Sequence, residues 1–175
     1  ILFSFPRTIG LCLNQIVFIF ITAVGSMLAS GSISIFNLAF NLQTVPLSII
    51  GVSYSVAAFP TLARLFVENQ KEKFIFHIVS AAKHIAFWSI PFSVLFIVLR
   101  AQIIRVIFGY GKFGWSDTRL TAASLAIFSL SITAQALIML FVRGFYAAGQ
   151  TRKPVFVNVF SSIFIIGSSV LFIWI

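Results

Sequence analysis

The sequence predicts an all-α membrane protein, a polytopic bundle of about five transmembrane helices. Hydrophobic residues make up 60% of the chain and charged residues only 9%, which leaves too little polar surface for a water-soluble domain. Five apolar stretches stand between polar breaks, and each reaches the roughly 20 residues that a spanning helix needs. None of them alternates strictly between polar and apolar residues, which favours helices over strands.

The five helices are predicted to form a single transmembrane domain over residues 1–175. Their approximate bounds are 6–28, 32–60, 83–108, 118–146 and 154–175. The chain opens close to the first apolar stretch and stops inside the last one. We therefore expect it to be a fragment of a longer protein.

The net charge of +9 is explained by membrane topology rather than by nucleic-acid binding. Most of the basic residues fall on one side of the predicted spans. That side carries Arg7, Arg64, Lys71, Lys73, Lys83, Arg143, Arg152 and Lys153, and the other carries Arg100, Arg105, Lys112 and Arg119. Because cytoplasmic loops are enriched in Lys and Arg, the chain is predicted to start in the cytoplasm and its fifth helix to end outside.

A polar stripe runs along the second predicted helix. At about 100° per residue its members fall inside an arc roughly 80° wide. They are Ser34, Asn37, Asn41, Thr44 and Ser48. Amide side chains are costly in hydrocarbon unless they face protein or water. The stripe therefore lines either a hydrogen-bonded contact between helices or a pathway for a solute.

The same helix is predicted to break between Pro46 and Gly51. Proline removes one backbone donor, and within a membrane the freed carbonyl must be satisfied by neighbouring groups or by water. A break beside the polar stripe is consistent with a functional site.

The other helices differ in how polar they are. The first carries Gln15 on a polar face, and the fourth carries Gln135 as its one amide, on a face with Thr121, Ser124 and Ser131. We expect Gln15, Asn41 and Gln135 to face the interior of the bundle. The third helix is the most apolar, and its aromatic side chains are expected to face lipid. These are Phe87, Phe92 and Phe96.

The residue set does not suggest an enzyme. The three acidic residues, Glu68, Glu72 and Asp117, lie at predicted loops or helix ends, so paired carboxylates cannot be assembled within the membrane. Cys12 lacks a thiol or histidine partner at metal-ligand spacing, and His77 and His84 lack a carboxylate nearby. We expect no catalytic residues, no metal site and no cofactor.

Five segments of the chain carry a resemblance to a known family. They are PRTIGLCLNQI from position 6, LASGSIS from 28, NLQTVPLSIIGVSYSVAAFPTLARLF from 41, IFGYGKF from 107 and RGFYAAGQTRKP from 143. These segments resemble landmarks of the lipid II flippase family (MurJ/MviN), within the multidrug/oligosaccharidyl-lipid/polysaccharide exporter superfamily, and the likeness spans nearly the whole chain. The last resembles a turn found across the superfamily, whereas the proline-glycine segment ending in FPTLAR is more particular to the flippases.

The resemblance implies part of the C-terminal lobe of a fourteen-helix exporter fold, with the N-terminal lobe absent. It also implies a flippase of the bacterial cytoplasmic (inner) membrane that serves peptidoglycan and cell-wall biogenesis. Such a protein moves lipid II, or a similar polyprenyl-pyrophosphate glycolipid, by alternating access. Its partners would be that substrate, the missing lobe and membrane lipids, and no nucleic acid.

One departure from the family pattern concerns charge. Where flippases of well-known bacteria carry an Asp-Arg pair and a nearby Glu, this chain has Phe40, Asn41 and Thr44. The stripe keeps hydrogen-bonding groups but has no cation for a pyrophosphate. Alternatives are therefore a related exporter of another polyprenyl-linked glycan or of a drug, or a non-transporting membrane scaffold of the same fold.

Overall fold

The computed structural model describes the backbone of residues 4–27, 31–109 and 114–174 and the side chains of residues 15–27, 31–109 and 114–171. In these ranges all regular secondary structure is helical, which confirms the predicted all-α fold. The helices are α1 (Ser4–Ser26), α2 (Ser32–Pro46), a π-helical segment (Leu47–Val52), α3 (Ser53–Val67), α4 (Lys71–Val98), α5 (Arg100–Phe108), α6 (Trp115–Ala147) and α7 (Arg152–Trp174).

Four of these helical stretches are long and apolar enough to cross a membrane. They are Ser32–Val67, Lys71–Val98, Trp115–Ala147 and Arg152–Leu171. A shorter apolar stretch, Gln15–Ser26, lies within α1. The polytopic helix bundle predicted from composition is therefore confirmed.

The structure changes the predicted helix bounds most around residues 61–76, and it divides the predicted helix 83–108 at Leu99, between α4 and α5. Helix α3 continues to Val67, and α4 begins at Lys71, although residues 61–76 read as a helix end followed by a loop. The charged residues of this region are exposed. Arg64, Lys71, Glu72 and Lys73 lie on helical turns, whereas Glu68 follows the last residue of α3 and lies 3.9 Å from Arg64. Polar composition here marks solvent-exposed helix rather than loss of helix.

The chain divides into two compact units, one formed by Ile1–Ile33 with Gly149–Ile175 and the other by Ser34–Ala148. In the first unit α1 packs against α7. Most described side chains of α7 are exposed, and Ser162 is its buried polar residue. The single transmembrane domain over 1–175 stays a prediction.

Helix α6 is the centre of the second unit. It packs against α3, α4, α5 and the π segment, and it contributes to two apolar clusters. The first cluster joins it to α2 and α5 through Ala39, Leu42, Ile104, Ala122 and Leu125. The second joins it to the π segment and α4 through Leu47, Ile50, Ile85, Ala136 and Leu140.

The aromatic residues of α4 do not all face outward. Phe87 is 69% exposed, as expected for a lipid-facing side chain. The expectation is wrong for Phe92 and Phe96, which pack against the second and first clusters respectively. Ser89 and Ser93 are buried on α4. Small serines allow close helix packing, so they mark the buried face of this helix better than its phenylalanines do.

Candidate functional site

The polar stripe of α2 lies on the surface of the second unit. Ser34, Asn41 and Ser48 are exposed, and Asn37 and Thr44 are partly exposed. Residues 34–48 include no ionisable side chain. The stripe is therefore a neutral surface of hydroxyl and amide groups, turned away from the clusters that hold this unit together.

A different amide connects α2 to α6. Gln43 is 1% exposed, and its Nε2 donates a hydrogen bond of 2.9 Å to Ser131 Oγ. Its Oε1 is buried without a hydrogen-bond partner among the described residues. An unsatisfied buried acceptor costs about 1–3 kcal/mol. The packing around Gln43 and its hydrogen bond to Ser131 must therefore stabilise the buried side chain against this cost.

Ser131 also binds the predicted site residue Gln135. Gln135 Nε2 donates to Ser131 Oγ at 2.7 Å, and the Ser131 hydroxyl donates to the carbonyl oxygen of Phe128 at 2.7 Å. A hydroxyl has one proton and two lone pairs. Ser131 thus uses its full hydrogen-bonding capacity within this group. We call Gln43, Ser131 and Gln135 the amide cluster.

Contacts between α2 and α6 show that the two helices run parallel. Phe40 meets Phe128 with ring centroids 6.0 Å apart, and Gln43 meets Ser131 three residues further along each helix. Beyond them, Gly51 lies against Ala136. Residue numbers rise together on both helices, so Gln135 lies level with the turns of residues 44–51. The structure thus places Gln135 at the same level along the helix axis as the end of the stripe around Thr44 and Ser48.

Between Pro46 and Gly51, where the sequence predicts a helix break, the chain stays helical. Pro46 ends α2 and is buried, and Leu47–Val52 form a π-helical turn. Gly51 allows the closest approach to α6, since a Cβ there would lie 3.0 Å from Ala136 Cα. π-Helical turns inside α-helices are frequent at functional sites.

Gln15 belongs to the first unit and lies exposed on α1. Its predicted membership of a cavity with the stripe stays a prediction. Within the described residues, no group of three or more His, Cys, Asp or Glu side chains is placed to hold a metal ion.

Sequence reasoning left Gln43 out of the candidate site. A helical wheel could have identified Gln43 as a residue that contacts another helix. At about 100° per residue it lies about 200° from Asn41, among apolar neighbours. A lone amide on the apolar face of a membrane helix needs a protein partner. That partner is Ser131, which the sequence placed on one face with Gln135.

The apolar spans, the bundle around α6 and the neutral polar stripe define a multi-pass membrane protein. The model of the family "Lipid II flippase MurJ" matches residues 3–174. The chain belongs to this family.

Relatives named "Probable lipid II flippase MurJ" occur in several bacteria. The chain is 30% identical over 154 residues to that of Buchnera aphidicola subsp. Schizaphis graminum, covering 88% of this chain and 30% of the relative. It is 32% identical over 165 residues to that of Rickettsia prowazekii, covering 90% and 31%. It is 27% identical over 169 residues to that of Vibrio cholerae, covering 97% and 32%. The chain thus spans about a third of the length of these relatives. No solved structure matches it.

Proposed function

We propose that this chain is part of a flippase that moves lipid II, the lipid-linked peptidoglycan precursor, across the bacterial cytoplasmic (inner) membrane. The family membership supports this substrate. Transport would proceed by alternating access between two lobes, with the N-terminal lobe as the partner of the helices described above. The protein would act without catalysis, metal or cofactor.

The proposal depends on one observation, the exposure of the polar stripe. If the stripe were only a contact between α2 and its neighbours in this unit, its side chains would be buried there. Instead Asn41 and Ser48 are exposed, and the hydrogen bond between α2 and α6 is made by Gln43. A polar surface on a membrane helix is stable where it faces a water-filled cavity. We propose that the stripe and Gln135 line that cavity, and Gln15 stays a separate prediction from the sequence.

The stripe would bind the uncharged part of the substrate. Hydroxyl and amide side chains pair with sugar hydroxyls, each bond contributing about 1 kcal/mol. Cations for the pyrophosphate would come mainly from the missing lobe, because residues 34–48 include no ionisable side chain.

The neutrality of the stripe also supports a second candidate, a related exporter of another polyprenyl-linked glycan. Both candidates predict a hydrogen-bonding cavity, and they differ in the glycolipid that the protein moves. A non-transporting scaffold of the same fold would need no exposed stripe.

The deciding experiment is complementation by the full-length protein in cells depleted of their own lipid II flippase. We expect growth and normal cell shape to be restored. Membrane insertion without rescue would contradict the proposal. Transport of a different lipid-linked glycan by the purified protein would then support the second candidate.

Substitution of Asn41 tests the role of the stripe. Asn41→Leu should leave insertion intact, because Leu costs less in the membrane than an amide, and should reduce transport. If Asn41 instead stabilises contacts with other helices, the variant will lose thermal stability and keep its transport rate.

A further inference from the structure

The amide cluster holds one of its two amides in a fixed orientation. Ser131 Oγ accepts an N–H from Gln43 and an N–H from Gln135 and gives its own proton to the Phe128 carbonyl. With one proton and two lone pairs, the hydroxyl cannot accept a further bond. Gln135 must therefore keep its nitrogen turned towards Ser131.

This orientation determines which groups Gln135 offers to its surroundings. The amide oxygen and the second N–H have no partner among the described residues, and the side chain is partly exposed. Gln43, at the other end of the cluster, is buried. Gln135 and Ser131 are both partly exposed, but Ser131 has no free hydrogen-bonding capacity, so Gln135 is the member of the cluster that can bind a further group. It lies level with residues 44–48 of the stripe.

An amide that presents one acceptor beside one donor pairs best with a group of the same kind. Hydroxyl and acetamido groups both donate and accept, whereas an ionised phosphate only accepts. The outward N–H of Gln135 can donate to either kind of group, whereas its outward oxygen repels a phosphate oxygen and attracts a hydroxyl or amide proton. The pair of groups therefore favours a hydroxyl or amide over a phosphate.

We propose that Gln135 is a specificity residue that binds the sugar or amide part of the glycolipid headgroup, and that Gln43 and Ser131 are its positioning residues. The inference rests on the proposed function, and adds to it the part of the substrate that this position recognises. It assigns no role to Gln135 in binding the pyrophosphate.

The chain offers a matched control on the same helix. Ser129 lies two residues before Ser131 and is fully buried, and its hydroxyl bonds only to the Leu125 carbonyl one turn earlier. Ser129→Ala and Ser131→Ala remove the same atom from α6. Only the second releases the amides of Gln43 and Gln135.

The test uses full-length protein in detergent and two probes, lipid II and undecaprenyl pyrophosphate without sugar. We expect Gln135→Leu to weaken lipid II binding about fivefold to thirtyfold, the loss of one or two neutral hydrogen bonds. Binding of the sugar-free carrier should stay unchanged. The readout is the ratio of the affinity for lipid II to the affinity for the sugar-free carrier, which Gln135→Leu should lower. Ser131→Ala should lower this ratio by a smaller factor, and Ser129→Ala should leave it at the wild-type value.

Three outcomes would overturn the inference. In the first, Gln135→Leu binds both probes as the wild type does. In the second, it loses affinity for both probes equally. In the third, Ser129→Ala and Ser131→Ala shift the ratio alike, which would make the effect one of packing. Failure of the proposed function is distinguishable, since a folded wild type would then not bind lipid II. Melting temperatures of all variants identify any that are unfolded.

Discussion

The close approach of Gly51 to α6 gives a quantitative test of the packing. In Gly51→Ala the new Cβ would lie 3.0 Å from Ala136 Cα and 3.1 Å from Ala136 Cβ, whereas carbon atoms pack best at about 3.5–4.0 Å. Backbone atoms cannot yield by changing a rotamer, so the π segment and α6 must move apart by about half an ångström. Overpacking of this kind costs about 1–3 kcal/mol.

Part of this destabilisation is offset, because Ala favours a helical backbone over Gly by up to about 1 kcal/mol. We therefore expect Gly51→Ala to destabilise the protein by up to about 2 kcal/mol. Thermal unfolding of the full-length protein in detergent measures the change.

Two other helical glycines serve as controls. At Gly144 the nearest atom to a new Cβ is the flexible tip of Ile78 at 3.1 Å, and at Gly167 nothing lies within 4 Å. Melting temperatures should fall most for Gly51→Ala, less for Gly144→Ala, and not at all for Gly167→Ala. If Gly51→Ala melts with or above Gly167→Ala, α6 does not contact the π segment as closely as described.

Three further substitutions test other features. Asn41→Arg should insert normally, because position 41 is exposed on the unit and proposed to face water; failure to insert would show that the position is buried away from water. Gly149→Ala should lower the free energy of unfolding by about 1–2 kcal/mol, since Gly149 follows α6 with φ of +68°. Gly149→Asn should lower it less, because Asn tolerates this conformation. Equal stability of the two variants would contradict this account. Glu68→Gln should change stability by less than about 1 kcal/mol, because the ion pair of Glu68 with Arg64 and the hydrogen bond that it accepts from Gln70 are both exposed, and a larger loss would contradict this account.

Composition was sufficient to predict the fold class, because apolar stretches of membrane length have few alternatives to helix. Helix ends were harder to place. The helical turns at Arg64–Val67 and from Lys71 onward carry charged, exposed residues, and such turns look like loops when hydropathy alone is considered. Their helicity is stabilised by continuity with the buried spans.

The candidate site shows what a helical wheel can and cannot provide. It placed Asn41 and Ser48 on one face, and they are exposed together. It could not rank Gln43 above them, because whether an amide is buried depends on which neighbour faces it. Parallel packing against Ser131, a contact 88 residues away in sequence, decided that question.

The π segment determines which serine continues the polar surface. If α2 continued with α-helical periodicity, Ser55 would follow Ser48 on the stripe, since seven residues make about two turns. The π segment changes the rotation of the chain, and Ser55 is fully buried. Ser53, five residues after Ser48, is exposed instead, and its hydroxyl donates to the Ser48 carbonyl oxygen at 3.4 Å. The stripe from Ser34 to Ser48 covers about 21 Å at 1.5 Å per residue, less than the roughly 30 Å of a bilayer core. Ser53 therefore carries exposed hydroxyl groups past Ser48, so the wider turn lengthens the polar face of this helix rather than ending it.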